Sequence, residues 1–269
     1  MADKTKIMVA GAAGRMGRRL MELIHKDPDL ELVGALERPD SPDLGKDLGE
    51  LCGVGTLGIK LTASFPEAAK GAKVYLDFSS PMGVSKNIVD ADVLGLAAVI
   101  GVTAIDDVIS TQLREASQRL AILVAPNMST GVNLLYRLAS LAAESLGDAY
   151  DIEIVEAHHN RKKDAPSGTA MKLYETLCKA RSLDPDKAHV FGRSGTPGPR
   201  GKDEIGIMAV RGGDIIGEHT VIFAGPGEVL ELTHRAQTRD AFAEGALKAA
   251  KWIATREPGY YSYGDVLGS

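Results

Sequence analysis

"MVAGAAGRMGRRL", residues 8–20, joins an apolar run to a helical pattern through Gly11, Gly14 and Gly17. The spacing is G-x-x-G-x-x-G. A helix N-terminus presents unpaired backbone N–H groups and the positive end of its dipole, so it attracts phosphate. Glycines there remove side chains that would hold a pyrophosphate at a distance. A plain tight turn also uses glycine, so the motif gains force from its context. Here "KIMVA" (6–10) reads as a strand before it, and Met16, Leu20, Leu23 and Ile24 form one helical stripe after it.

Working outward, "LELVGAL" (30–36), "VYLDF" (74–78), "AAVIG" (97–101) and "AILVA" (121–125) read as further buried parallel strands. Pro28 stops the first helix, Pro81 opens a second, and Asp106 or Asp107 can cap a third. Such alternation predicts βαβ units and a doubly wound sheet. The stretch 37–50 is too rich in Pro, Gly and Asp to be regular. The second strand ends in "LER": Glu37 can accept hydrogen bonds from an adenosine ribose, and Arg38 can neutralise the extra phosphate of NADP. Having both points to NADH and/or NADPH, although two solvated loop charges would read the same way.

After about residue 129 the texture changes. A helix carrying Val132, Leu135, Leu138 and Leu141 leads into "YDIEIVEAHH". Then "EIGIMAVR", "EHTVIFA" and "EVLELTHR" follow with Gly-rich turns between them. Half-polar strands of this kind predict an open mixed, largely antiparallel sheet with one face on helices. The last long helix presents Phe242, Ala246, Ala249 and Ile253, and its economical use is to return to the first domain. The expected fold is α/β: a Rossmann-type dinucleotide-binding domain (1–128 plus 238–269) with an inserted α+β substrate and oligomerisation domain (129–237).

The densest chemistry lies in "EAHHNRKKDAPSGTA", Glu156 to Ala170. His158 and His159 leave a strand end, and Lys162 and Lys163 follow. Ser167 can cap a helix whose first N–H groups, at Gly168 and Thr169, can bind a carboxylate. A helix start beside a cluster of imidazole and ammonium groups suits a small dicarboxylate. Histidine is also the side chain best poised to move protons near neutral pH. The bland alternatives are a solvated positive loop or a metal site. No further Cys/His cluster completes a metal site, so no metal is expected.

The chain has 269 residues, 44% of them apolar and 25% charged, with a formal net charge of −5. That balance argues against a nucleic-acid or membrane-surface partner, and no apolar run reaches the length of a membrane span. "MADKTK" has no apolar signal core, so the expected address is the cytoplasm. Cys52 and Cys178 give neither a disulfide framework nor a metal pair.

"VAGAAGRMGRRL", "LER", "DFSSP", "APNMSTGVN", "EAHHNRKKDAPSGTA", "RGGDIIGEHTV" and "LTHRAQTRDAFAEGALKAAKW" occur in an order that resembles the 4-hydroxy-tetrahydrodipicolinate reductase (dihydrodipicolinate reductase) family of the diaminopimelate route to lysine. The resemblance covers nearly the full length. It implies a homotetramer and NAD(P)H-dependent reduction, with hydride delivered to ring C4. It also implies pyrophosphate contacts from Gly11, Ala12, Ala13, Gly14, Arg15 and Met16, and adenosine contacts from Glu37 and Arg38. Gly101, Val102 and Thr103, with Ala125, Pro126, Asn127 and Met128, would sit near the nicotinamide. His158 would move the proton, Lys162 would be the second proton donor, and His159, Gly168 and Thr169 would bind substrate carboxylate. The chain departs from the family's usual pattern at "GVTA" (101–104), where a threonine pair and a glycine are common, and at Ser80, where relatives can carry arginine. A semialdehyde dehydrogenase would need a nucleophilic cysteine, which neither Cys52 nor Cys178 suits. A dinucleotide-sensing regulator would not need the histidine-lysine segment.

Overall fold

Apolar runs of four to seven residues between amphipathic helices set the order of elements in the first half of the chain. The structure, a computed structural model, describes residues 4–268. The first three residues of "MADKTK" and Ser269 lie outside the described residues. In chain order the elements are β1 (Thr5–Ala10), α1 (Arg15–Lys26), β2 (Leu30–Leu36), α2 (Leu48–Cys52), α3 (Phe65–Ala68), β3 (Val74–Asp77) and α4 (Pro81–Leu94). Next come β4 (Ala97–Ile100), α5 (Asp107–Ala116), β5 (Ala121–Val124), α6 (Thr130–Leu146), β6 (Asp151–His158), α7 (Gly168–Ala180) and β7 (His189–Phe191). The chain ends with β8 (Ile205–Arg211), β9 (Glu218–Gly225), β10 (Glu228–Arg235), α8 (Asp240–Ile253), β11 (Gly259–Tyr261) and α9 (Tyr263–Val266). Two compact units result: the chain up to Thr130 together with the chain from Asp240 onward, and Gly131–Arg239.

The first unit is built on a parallel sheet in the order β11-β5-β4-β3-β1-β2. Both faces are covered, which is why its strands are mostly apolar, with exceptions at Lys6 and Glu31 near strand starts and at buried Asp77 at the end of β3. Ile7, Val9, Leu76 and Leu123 pack with α1 and α8, while Met8, Tyr75, Ala98 and Ile122 pack with α3, α4 and α5. The order reverses between β1 and β3, so the loops at their carboxyl ends diverge and leave a crevice. In α8 the buried stripe runs through Ala243, Ala246, Ala249, Ala250 and Ile253, and Phe242 is only half-buried. The irregular 37–50 stretch turns helical at Leu48, because the Asp47 carboxylate accepts backbone N–H groups of Gly49, Leu57 and Gly58. The three-residue β11 is too short to leave a sequence pattern.

The sheet of the second unit runs β10-β9-β6-β8-β7. It is mixed, as expected: β6–β9 and β9–β10 pair antiparallel along nearly their whole length, while β6–β8 and the short β7–β8 pair parallel. The parallel pairs arise because the crossover through α7 returns the chain in the direction of β6 to form β7, and β8 then inserts between β7 and β6, parallel to both. Ile152, Ile154, Ile205, Ile207, Val221 and Phe223 turn one face toward α6 and α7. On α6 the buried side runs Val132, Leu135, Ala139, Ala143, since the alanines admit the helix close to its neighbours. The expected stripe therefore fails at Leu138 and Leu141, which are 40% and 59% exposed.

Candidate active site and dinucleotide cleft

In the first unit the three glycines do three different jobs. Gly11 adopts φ +76°, and a Cβ there would lie 2.6 Å from the Phe78 carbonyl oxygen. Gly17 packs α1 onto the turn, since a Cβ would overlap the Gly11 carbonyl oxygen. Gly14 caps α1 at an ordinary φ of −68°, and a Cβ there would meet only Gly11 O, at 3.2 Å. Its outer side is open. No side chain caps α1 and its first turn holds no acid, so the helix start is left to attract an anion. Arg15 follows Gly14 as the first residue of α1, and Met16 packs against the core beside it.

A cleft of about 800 Å³ spreads from this turn, and its lining includes Gly11, Gly14, Glu37, Arg38, Ser80 and Lys86. Glu37 accepts the Ala13 N–H at 2.8 Å on one carboxylate oxygen and the Arg38 N–H at 3.1 Å on the other. Each oxygen keeps a lone pair for a ribose hydroxyl. The Arg38 side chain is 71% exposed and, among the described residues, reaches only Asp40, at 3.4 Å. Ser80 is the N-cap of α4, accepting the Gly83 N–H at 3.1 Å. Serine in "DFSSP" thus has a structural task of its own. Buried Asp77 shapes the same turn, bound by Ser79 and by Asn87 Nδ2. Burial pushes its carboxyl up, against those hydrogen bonds.

The remaining residues expected near the nicotinamide are a mixed group. Gly101 lies against the Phe78 ring, Val102 is buried and Thr103 is exposed. Ala104 sits at φ +57°, the left-handed region where glycine is at ease. Ala125 is buried and donates its N–H to Ile100, while the Asn127 side chain accepts the Ser129 N–H. Ala12 and Met128 are core residues, so only their backbone is available to a ligand. Pro126, between Ala125 and Asn127, is exposed.

In the second unit the chemistry collects at the end of β6. Register sets His158 opposite Arg211 of β8 and Glu156 opposite His219 of β9. His158 Nδ1 lies 2.6 Å from Glu156 Oε2, with the histidine side chain 12% exposed and the glutamate fully buried. Arg211 holds Glu156 with two hydrogen bonds of 2.7 Å, and Ser167 donates its backbone N–H to the same carboxylate at 3.0 Å. Burial alone would raise this carboxyl, but hydrogen bonds from His158, Arg211 and Ser167 outweigh it and hold it at about 2.

Ser167 caps α7 by accepting the Ala170 N–H, and its hydroxyl lies 3.1 Å from His219 Nε2. Gly168 is exposed, with nothing within 4 Å of a Cβ built on it, and half-buried Thr169 follows. The His219 ring meets His158 edge to face at 5.2 Å. Burial, then repulsion from His158, pushes His219 down to about 3, so it is neutral. His159 is also pushed down, by burial first and by Arg161 next. Its buried Nδ1 has no hydrogen-bond partner among the described residues. Lys162 Nζ lies 2.9 Å from Asp164, and Lys163 is exposed. A Cβ on Gly217 would lie 3.1 Å from His158 Nε2, so glycine keeps that nitrogen clear.

The structure thus gathers His158, His159, Lys162, Gly168 and Thr169 in one unit, and adds Glu156, Arg211 and His219, which the sequence reading did not single out. Glu156 was legible, because residues two apart on a strand share a face. Burial raises both cysteine thiols, Cys52 in the first unit and Cys178 in α7, as suits inert groups. Among the described residues no group of three or more His, Cys, Asp or Glu is placed to hold a metal, and no helix is long and apolar enough to cross a membrane.

Two family descriptions match: "Dihydrodipicolinate reductase, N-terminus" over residues 5–128 and "Dihydrodipicolinate reductase, C-terminus" over residues 131–267. The 4-hydroxy-tetrahydrodipicolinate reductase of Nitrosomonas europaea is 46% identical over 262 residues, 97% of each chain. That of Chromohalobacter salexigens is 47% identical over 265 residues, 98% of each. Among solved structures, a dipicolinate-bound dihydrodipicolinate reductase from Paenisporosarcina sp. TG-14 superposes with a TM-score of 0.78 at 25% identity, covering 96% of this chain and 97% of that one.

Proposed function

The chain belongs to the dihydrodipicolinate reductase family, and from that premise we propose that it reduces 4-hydroxy-tetrahydrodipicolinate to tetrahydrodipicolinate with NADH or NADPH, a step of diaminopimelate and lysine biosynthesis. The observation that carries the reading is the convergence at the end of β6 of a proton-moving imidazole, an ammonium group and the open start of α7.

The first unit binds the dinucleotide. Gly11 to Met16 take the pyrophosphate on their backbone, Glu37 takes the ribose, and Arg38 takes the 2′-phosphate of NADPH. Gly101 to Thr103 and Ala125 to Met128 flank the nicotinamide. The open side of Gly14 and the uncapped α1 start support this fit. When bound, the cofactor supplies hydride to ring C4.

The second unit holds the diacid. The N–H groups at Gly168 and Thr169 and the buried Nδ1 of His159 bind carboxylate. Lys162 stabilises the negative charge that builds toward the ring nitrogen and its carboxylate, and donates a proton there. Loss of the 4-hydroxyl with a C5 proton as water precedes hydride transfer and leaves the conjugated imine. After transfer His158 delivers a proton to C5 of the resulting enamine, and the ring nitrogen gives up its proton again as the C=N bond of the product forms.

Purified protein, mixed with a dihydrodipicolinate synthase reaction, should consume nicotinamide absorbance only when the synthase product is present. No consumption with either cofactor would overturn the reading. We further infer a homotetramer working in the cytoplasm. Support for assembly comes from the second face of the β10-β9-β6-β8-β7 sheet, where Val210 and Val229 are 47% and 59% exposed. Light scattering that returned a monomer would refute it.

A further inference from the structure

Among the described residues Glu156 is the one fully buried carboxylate of the second unit. Nothing in the proposed reaction has it touch substrate. A buried carboxylate is tolerable only when hydrogen-bonded, and this one has four donors: His158 Nδ1–H, two N–H groups of Arg211 and the Ser167 N–H. Facing the His158–Glu156 pair are Arg211 from β8, His219 from β9, and His159, Lys162 and Asp164 from the loop after β6.

An ionised carboxylate can only accept. The 2.6 Å contact therefore requires the proton on His158 Nδ1, which leaves Nε2 as the nitrogen that exchanges protons. We propose that Glu156 is a positioning residue for this reaction: it fixes the His158 tautomer, stabilises the imidazolium that must form before each proton delivery, and through Ser167 ties the start of α7 to the same carboxylate. In the delivery step the Nε2–H bond of the imidazolium breaks and a C–H bond forms on the substrate. The imidazole is left neutral, with Nδ1–H still on Glu156, and Nε2 regains a proton from water. Neutral His219, edge-on to His158, adds no competing positive charge. Arg211 keeps the carboxylate ionised without reaching the imidazole itself.

The kinetic part rests on the proposed reduction, so the test has two arms. In the first, long-range proton–nitrogen NMR of the full ¹⁵N-labelled chain, with the signal assigned by His158→Gln, should show neutral His158 protonated at Nδ1. Protonation at Nε2 would overturn the proposal whatever the protein reduces. In the second, Glu156→Gln should lower kcat on the order of 100-fold, and the alkaline limb of the kcat profile should move to lower pH. NADH affinity should stay within about twofold of wild type. Glu156→Asp should recover part of the loss by restoring the charge. Wild-type kcat and pH profile in Glu156→Gln would overturn the proposal. A wild-type protein that reduces nothing would defeat the functional reading, while the tautomer would still decide the role of Glu156. Should Glu156→Gln fail to fold, the tautomer decides alone.

Discussion

Gly17 sits so close to Gly11 that a methyl group on Gly17 would overlap the Gly11 carbonyl oxygen and lie 2.6 Å from Ala12 Cα. Gly14, between them, has only Gly11 O near its Cβ position, at 3.2 Å. The motif therefore separates into a packing glycine and a ligand-facing one. Gly17→Ala should destabilise the protein by about 1–3 kcal/mol through backbone displacement, despite the better helix propensity of alanine. Gly14→Ala should melt close to wild type yet bind NADH at least about tenfold more weakly. Thermal melts and fluorescence titrations measure the two effects, and similar losses of stability in both variants would contradict the division.

Arg38 is mostly exposed and weakly engaged, with Asp40 at 3.4 Å. Little in the fold depends on it, and its charge is free for a 2′-phosphate. Arg38→Ala should keep wild-type stability and weaken NADPH about tenfold while changing NADH little. Titration of both cofactors checks this; equal weakening would remove Arg38 from phosphate recognition.

His158 and Lys162 stand in the second unit, whereas the glycine turn and cleft are in the first. His158→Ala or Lys162→Ala should therefore lower kcat by about 10²–10⁴ and leave NADH affinity near wild type. Steady-state kinetics beside cofactor titration give the answer. Wild-type rates in both variants would show that neither moves the proton.

Much of this was legible in the sequence because the relevant signals are local. β1 to β5 are mostly apolar runs, α4 and α5 begin at capping residues, and "EAHHNRKKDAPSGTA" holds the imidazoles, the lysine and the helix cap within one segment. What escaped depends on long-range pairing. Arg211 and His219 gain their importance only because β8 and β9 flank β6 in a register that sets them opposite His158 and Glu156. The parallel β6–β8 pairing escaped for the same reason: half-polar alternation tells which face is buried, not which neighbour a strand chooses. On α6 a leucine stripe was a weaker guide than the alanines, which alone let the helix approach.

His219 makes a pH prediction with a definite sign. Burial, and then His158, hold it near 3 rather than at its ordinary 6.5. As pH falls below about 6.5, the unfolded chain takes up a proton that the folded chain refuses, so acid favours unfolding. Each such proton changes stability by up to about 1.4 kcal/mol per pH unit. Above the ordinary range neither state is protonated and the effect vanishes. His219→Gln keeps a polar partner for Ser167 Oγ and has nothing to titrate. Its stability should consequently vary less between pH 7 and pH 5 than that of wild type, whatever its absolute value. Glu156 does not blur the comparison: its carboxyl is depressed, so its contribution is lost only as pH falls through the ordinary 4.5 toward 2. Urea unfolding of both proteins across that range measures the difference, and parallel curves would mean that His219 binds its proton in the folded state.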